Sequence, residues 1–317
     1  MISKRRGVIG LAALAGLAVL LALGARFHPG KFAGRDTNSA PDRPVVGPRI
    51  VSLVPSATDI LMGMGCGDHL VAVSNFDSDP SVAGLPRVGD YQTTDWERIT
   101  QLRPSVIVTR YNPRSIPAGF VQRADAIGAS RLNLQTETLQ GPDPSATIYY
   151  AIDQLGQACH EPKKAAEAQA RLRSQIRAVR DRVRGGAPVP TLIVIGAEGT
   201  MVAGKETFLN ELLEIAGGVN VAAGLSPRYP SVDREQILAF HPSVILQLLP
   251  DASPQLRAQA ARNWLPLKDL PAVRDGRVKQ LTAGYVMLPG IHVAETAGAF
   301  ADALHPGAAS QPAHSNE

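Results

Sequence analysis

The sequence predicts an α/β fold: two similar Rossmann-like lobes with mainly parallel sheets, joined by one long α-helix, with a ligand cleft between the lobes. Three observations carry that prediction. Short apolar runs alternate with helical runs in both halves of the chain, one long amphipathic stretch separates the halves, and a fourteen-residue segment of the first half recurs in the second.

The alternation begins at Arg49. Ile50 to Val54 is an apolar run of strand length, and Ala57 to Met64 is a helix closed by Gly65 and Gly67. Leu70 to Val73 is again strand-like. Trp96 to Leu102 is a short helix that must end before Pro104, because proline disfavours helical backbone in the residue preceding it. Val106 to Thr109 is a further buried strand, and Ile116 to Ile127 and Ala146 to Ala158 are further helices.

Between Glu161 and Arg184 the only proline is Pro162, in the first turn, where a missing N–H costs nothing. Ala165, Ala168, Leu172, Ile176, Val179 and Val183 recur at three- and four-residue steps, so one face stays apolar throughout. Such a helix is about 35 Å long at 1.5 Å per residue. Gly185 and Gly186 end it, and Pro188 and Pro190 lead into a strand at Thr191 to Ile195. A helix at Phe208 to Ala216, a strand at Val244 to Leu248 and a last helix from Gly290 to Leu304 follow.

The repeat aligns Asp95–Val108 without gaps on Asp233–Leu246, with seven of fourteen positions identical. Random pairing at average composition gives about one. Duplication of a lobe is the simplest account. The expected units are therefore a first lobe at 49–160, a connecting helix at 161–186 and a second lobe at 187–306.

Composition sets the class. With 44% hydrophobic and 19% charged residues the body is that of a globular protein. Of the formal net charge of +4, three units come from Lys4, Arg5 and Arg6, and without them 29 basic residues face 28 acidic ones. No basic stripe remains to neutralise phosphates, which excludes nucleic acid as a partner. Those three charges precede an apolar run from Gly7 to Ala25 and a polar tether at 26–48, the pattern of an export signal. The run is long for a cleaved signal and just spans a bilayer, so 1–25 reads as a signal peptide or as an N-terminal anchor in the inner membrane. No cysteine follows it to carry a lipid. The tail at 307–317 has the composition of a disordered segment. Two cysteines, Cys66 and Cys159, each follow a helix that leads away from the carboxyl ends of the strands, and a disulfide between them is expected in an oxidising compartment, with two free buried thiols as the alternative.

In α/β lobes, ligands gather at the carboxyl ends of parallel strands. Those positions are Pro55 and Ser56 after the first strand, Arg110 and Tyr111 after the Val106 strand, and Tyr285 near a late strand. Five of the thirteen Phe and Tyr residues (Phe76, Tyr91, Tyr111, Tyr229 and Tyr285) fall in such loops, although the chain is only 5% aromatic. Aromatic faces suit a large flat ligand, while Arg110 suits carboxylate or catecholate oxygens. A tyrosine in an α/β loop also packs simply as a half-buried residue, and a lone arginine or His292 as a solvated one. His69 and His241 fall at the far ends of their elements. The seven histidines, three of them in tails, supply no cluster for zinc or manganese, so no metal site and no cofactor is expected. No phosphate loop, nucleophile elbow or acid–base pair marks an enzyme.

Five segments in this order and spacing carry a family resemblance: Arg49-Ile-Val-Ser-Leu-Val-Pro-Ser-Ala-Thr-Asp59, Val88-Gly-Asp-Tyr-Gln with Trp96-Glu-Arg-Ile, Arg103-Pro-Ser-Val-Ile-Val, Ala203-Gly-Lys-Glu-Thr, and Pro230-Ser-Val-Asp-Arg-Glu-Gln-Ile-Leu. Over 49–304 the chain resembles the class III periplasmic binding proteins that serve ABC importers for cobalamin, ferric siderophores and haem, and most of all the cobalamin branch. The resemblance implies a monomer that binds a metal-containing organic ligand between its lobes, moves little, and docks on a permease dimer through both lobes. It implies that Tyr91 and Tyr229 take aromatic positions of the ligand site; tryptophan stands there in the cobalamin branch, and a third tryptophan position aligns near Arg110. A ferric siderophore or haem therefore stays open beside cobalamin. It also implies that Glu97 and Glu235, matched across the repeat, meet arginines of the two permease subunits. As single residues, both glutamates equally suit the positive end of a helix. A membrane-anchored ligand sensor subunit, or a non-transport enzyme on a nitrogenase-like fold, is the reading of another class.

Overall fold

The structure, a computed structural model, describes residues 47–90, 93–111, 116, 117 and 119–307. The N-terminal segment, most of the tether and most of the tail lie outside them, as does Tyr91.

The first lobe is a parallel sheet in the order β2-β1-β3-β4, formed by β1 (Ile50–Ser52), β2 (Leu70–Ala72), β3 (Val106–Thr109) and β4 (Ser130–Asn133). β1 sits centrally and is wholly buried, with Ile50 opposite Val106 and Ser52 opposite Val108. Helices α1 (Pro55–Gly63), α2 (Trp96–Leu102), α3 (Phe120–Ala126) and α4 (Ile148–Ala158) cover it. Proline at N1 starts α1, which then buries six consecutive residues, Ser56 to Leu61. A helix buried nearly all round belongs to an interior, and α1 lies where the lobes meet.

The spine α5 (Pro162–Arg182) runs 21 residues, about 30 Å at the usual rise. Ala165, Ala168, Leu172 and Ile176 are its buried stripe, as the periodicity predicts. It packs on α4 at one end and on the last helix, α10 (Val293–Leu304), at the other. Gly156 of α4 permits the close approach: a Cβ there would lie 2.3 Å from the Ala165 Cβ.

In the second lobe β5 (Val189–Ile195) is central, with β8 (Val244–Leu248) and β9 (Val278–Leu281) parallel on one side. The other side of β5 is shared. β7 (Gly218–Asn220) pairs parallel with its beginning, and β6 (Met201–Val202) antiparallel with its end. Helices α6 (Phe208–Ile215), α7 (Arg234–Phe240), α8 (Pro254–Arg262), α9 (Pro271–Arg274) and α10 complete it. Among the described residues no helix is long and apolar enough to cross a membrane.

Some bounds differ from the sequence expectation. The helix expected at Ile116–Ile127 starts only at Phe120, after Pro117 and a Gly119 in the left-handed region at φ +79°. The last helix starts at Val293 rather than Gly290, since the segment before it is engaged by the first lobe. One hydrophobic core, from Ile50 through α1, α4, α5 and α6 to Leu304, runs through both lobes, and each lobe has one smaller core of its own. The lobes are thus welded rather than merely tethered.

Candidate functional site

The carboxyl ends of the two sheets face each other, as three cross-lobe contacts establish. Ser78, after β2, donates to Asp251 Oδ2 after β8 at 2.9 Å. Glu137, after β4, pairs with Arg228 of the second lobe. Arg110, directly after β3, lies close enough to Tyr229 for each to act on the other's ionisation. Behind this line the lobes are locked by backbone: Phe208 N donates to Glu137 O at 2.9 Å, and the Leu139 and Gln140 N–H groups donate to Glu211 Oε2 at 2.8 Å each. Burial holds the Glu211 carboxyl above its usual range against those two donors.

Arg110 is open to water along its surface, yet desolvation pulls its guanidinium pKa down. Together these describe a cation standing in a recess. It makes no ion pair or hydrogen bond among the described residues. Desolvation raises Tyr229, half-buried against the shared core, while Arg110 and then Arg228 act the other way. Tyr285 is half-buried and stacks on His292, with centroids 4.9 Å apart and planes at 18°. Phe76 is 40% exposed beside Asp77, whose burial pushes its carboxyl up to about 6 although the Ser74 N–H donates to it at 2.8 Å.

Two expected residues do not face the cleft. Tyr111 is 7% exposed and packs edge-on against Phe120 at 5.1 Å in the smaller core of the first lobe. Alternation explains it: Arg110 and Tyr111 are neighbours at a strand end, so one points into the recess and the other away. Ser56 is 3% exposed, its hydroxyl within 3.2 Å of Thr136 Oγ1, while Pro55 is half-buried at the start of α1. The bond of the expected disulfide is not formed in this structure. Cys66 and Cys159 are free thiols, both buried in the shared core. They are neighbours nonetheless, since Cys159 pulls the Cys66 thiol down and is itself pushed up by Cys66. Making the bond requires an oxidant.

Glu97 and Glu235 are exposed in the first turns of α2 and α7, and neither forms an ion pair among the described residues. Neither is needed as a cap, because Asp95 and Asp233 accept the N–H groups of Arg98 and Gln236. Sequence reasoning missed Asp59, Glu137, Arg228 and the role of His292. Asp59 carried a signal: a carboxylate on the buried face of α1 must find a partner.

Comparison with known proteins follows this geometry. The family described as periplasmic binding protein matches residues 50–285. The vitamin B12-binding protein of Vibrio campbellii is 28% identical over 243 residues, 76% of this chain and 83% of that one. That of Yersinia pestis is 30% identical over 200 residues, 62% and 68% of the two chains. Among solved structures, the periplasmic vitamin B12 binding protein of Vibrio cholerae superposes with a TM-score of 0.67 at 27% identity, covering 84% of this chain and 99% of its own. A periplasmic haem binding protein from Pseudomonas aeruginosa gives 0.69 at 24% identity, over 83% and 94%, a likeness of fold alone.

Proposed function

The chain belongs to the periplasmic binding protein family, and on that premise we propose that it carries a cobalamin-type corrinoid between its lobes and hands it to an ABC permease. As a member of that family it is a solute-binding protein and not an enzyme. Its place is the periplasm, reached through the apolar segment at 7–25, which is either cleaved or retained as an anchor. The observation that carries the ligand reading is the pair of facing strand ends joined by Ser78–Asp251 and Glu137–Arg228; Tyr229, Tyr285, Phe76 and Pro55 are the residues proposed to line the recess between them, and the vitamin B12-binding relatives support the same reading. Tyr91, which lies outside the described residues, is proposed for the ligand site on the family resemblance alone. The exposed Glu97 and Glu235, one on each lobe and without an ion pair among the described residues, are the proposed contacts with the two permease subunits.

One observation favours a second ligand class. Arg110 is a cation that forms no ion pair among the described residues, and it matches anionic oxygens such as haem propionates or a ferric catecholate. Titration of the protein with cyanocobalamin, haem and a ferric catecholate, followed by absorbance, separates the readings. The expected result is saturable cyanocobalamin binding, weakened by about 1–3 kcal/mol in Tyr229→Ala. Haem or catecholate binding without cyanocobalamin binding, abolished by Arg110→Gln, would replace the corrinoid by the anionic ligand.

A further inference from the structure

One group of side chains joins the lobes through buried charge. Asp59, 7% exposed in α1, accepts the Ile291 N–H on Oδ2 at 2.7 Å, and its Oδ1 meets His292 Nδ1. Both partners belong to the turn that opens α10 in the other lobe. The approach leaves no space for side chains. A Cβ on Gly290 would stand 2.1 Å from Asp59 Oδ2, and one on Gly63 2.4 Å from Ile291 Cγ2. A carboxylate this buried requires partners, and the second lobe supplies both. The imidazole in turn stacks on Tyr285, which follows β9 at the edge of the recess.

We propose that Asp59, His292 and Tyr285 form a charge-dependent strap between the lobes, in which protonated His292 holds Tyr285 in position for the ligand, so that affinity declines as the imidazole loses its proton. The proposal rests on the reading that Tyr285 lines the ligand recess. Among the described residues, the charged groups that act on His292 are acidic: Asp59 from α1, Glu295 from the first turn of α10 and Asp79 from the loop after β2. The bond to Asp59 raises the imidazole pKa above 6.5, desolvation opposes it, and the charges of the three carboxylates add to the rise. A folded pKa above the unfolded one gives a stabilisation that is complete below pH 6.5 and is lost as pH rises through the folded value. Neutral His292 still donates one N–H to Asp59 but no longer offsets its charge. By linkage, a ligand that prefers the strapped state must also tighten the proton on His292.

The test is cyanocobalamin titration of the full chain from about pH 6 to about pH 9, an interval that brackets an upshifted histidine. Wild type is expected to lose affinity about three- to tenfold on going alkaline, the scale of up to one pKa unit of coupling. His292→Arg, charged throughout, should keep its affinity at both ends, and Asp59→Asn should bind more weakly with a flat profile. A flat wild-type profile, or His292→Arg following wild type, overturns the strap. If cyanocobalamin fails to bind at any pH, the ligand reading falls, and the strap is then read without ligand. Proton NMR of the ligand-free protein should show His292 titrating above 6.5 and falling towards it in Asp59→Asn. An imidazole that titrates alike in both proteins overturns the strap independently of any ligand.

Discussion

The two lobes are alike along α2–β3 and α7–β8 and unlike immediately afterwards. Each helix follows an aspartate that accepts the N–H three residues on, at 3.0 Å for Asp95 and 2.8 Å for Asp233. Each ends on a left-handed residue before a proline, Arg103 at φ 48° and His241 at φ 49°. Each strand is entered with the same bond to its central neighbour, Ser105 N to Arg49 O at 2.8 Å and Ser243 N to Pro190 O at 2.9 Å. Past the strands the likeness stops: β3 runs into Arg110, whereas β8 runs into Leu249, Pro250 and Asp251. Symmetry is thus kept along the helix–strand pairs that carry the proposed docking glutamates, and given up at the strand ends, where the proposed ligand site lies.

The glutamates test that division with the largest expected effect. Glu97→Arg with Glu235→Arg in one chain should abolish uptake and complex formation with the permease, while cyanocobalamin affinity stays within about twofold, because rim charges govern partner choice rather than a distant pocket. The single variants sharpen the comparison. Equal losses in uptake mean that the lobes dock as equivalents; a loss confined to one means that one lobe leads. Uptake by the double variant at the wild-type rate sinks the docking role altogether.

The cysteines occur in the first lobe only. Because Cys66 and Cys159 are already neighbours, oxidation should close a loop of about 90 residues and stabilise that lobe by about 4–5 kcal/mol in the chain-entropy treatment. Thiol titration of denatured protein taken directly from the periplasm should find no free thiol, and two after reduction. A Cys66→Ser variant should then melt like the reduced wild type. Two free thiols in the protein as isolated would leave the structure's unbonded pair as the working state, and the lobes equal in this respect.

The sequence made the central parts of this molecule legible and the margins less so. β3 and β8 are fully recoverable as apolar runs, and α5 from its stripe of Ala165, Ala168, Leu172 and Ile176, because burial on every side or on one face writes a pattern. β4 (Ser-Arg-Leu-Asn) and β9 (Val-Lys-Gln-Leu) are edge strands only partly buried, and their mixed composition hides them. In the site, Arg110 was placed by its position at a strand end and Tyr229 by the family resemblance, and the two lie close to each other. Tyr111 was misread because one residue of register separates the recess from the core. Asp59 and His292 were missed as a pair because they are 233 residues apart, and a contact across lobes leaves no local trace in either segment.

The smallest expected effect concerns the caps themselves. Asp95→Ala removes a single acceptor for the Arg98 N–H, whereas Asp233→Ala breaks a capping box in which the Gln236 side chain also accepts the Asp233 N–H. Each should cost about 1 kcal/mol, with Asp233→Ala the larger because its loss also loosens the reciprocal bond. Across a body of this size that is a lowering of about 2–4 °C in thermal midpoint. The shape of the transition tells more than its position. A hydrophobic core continuous from Ile50 to Leu304 requires both variants to shift one cooperative transition. If instead Asp95→Ala displaces one step of a two-step melt and Asp233→Ala the other, the lobes unfold separately, and the shared core does less to unite them than its continuity suggests.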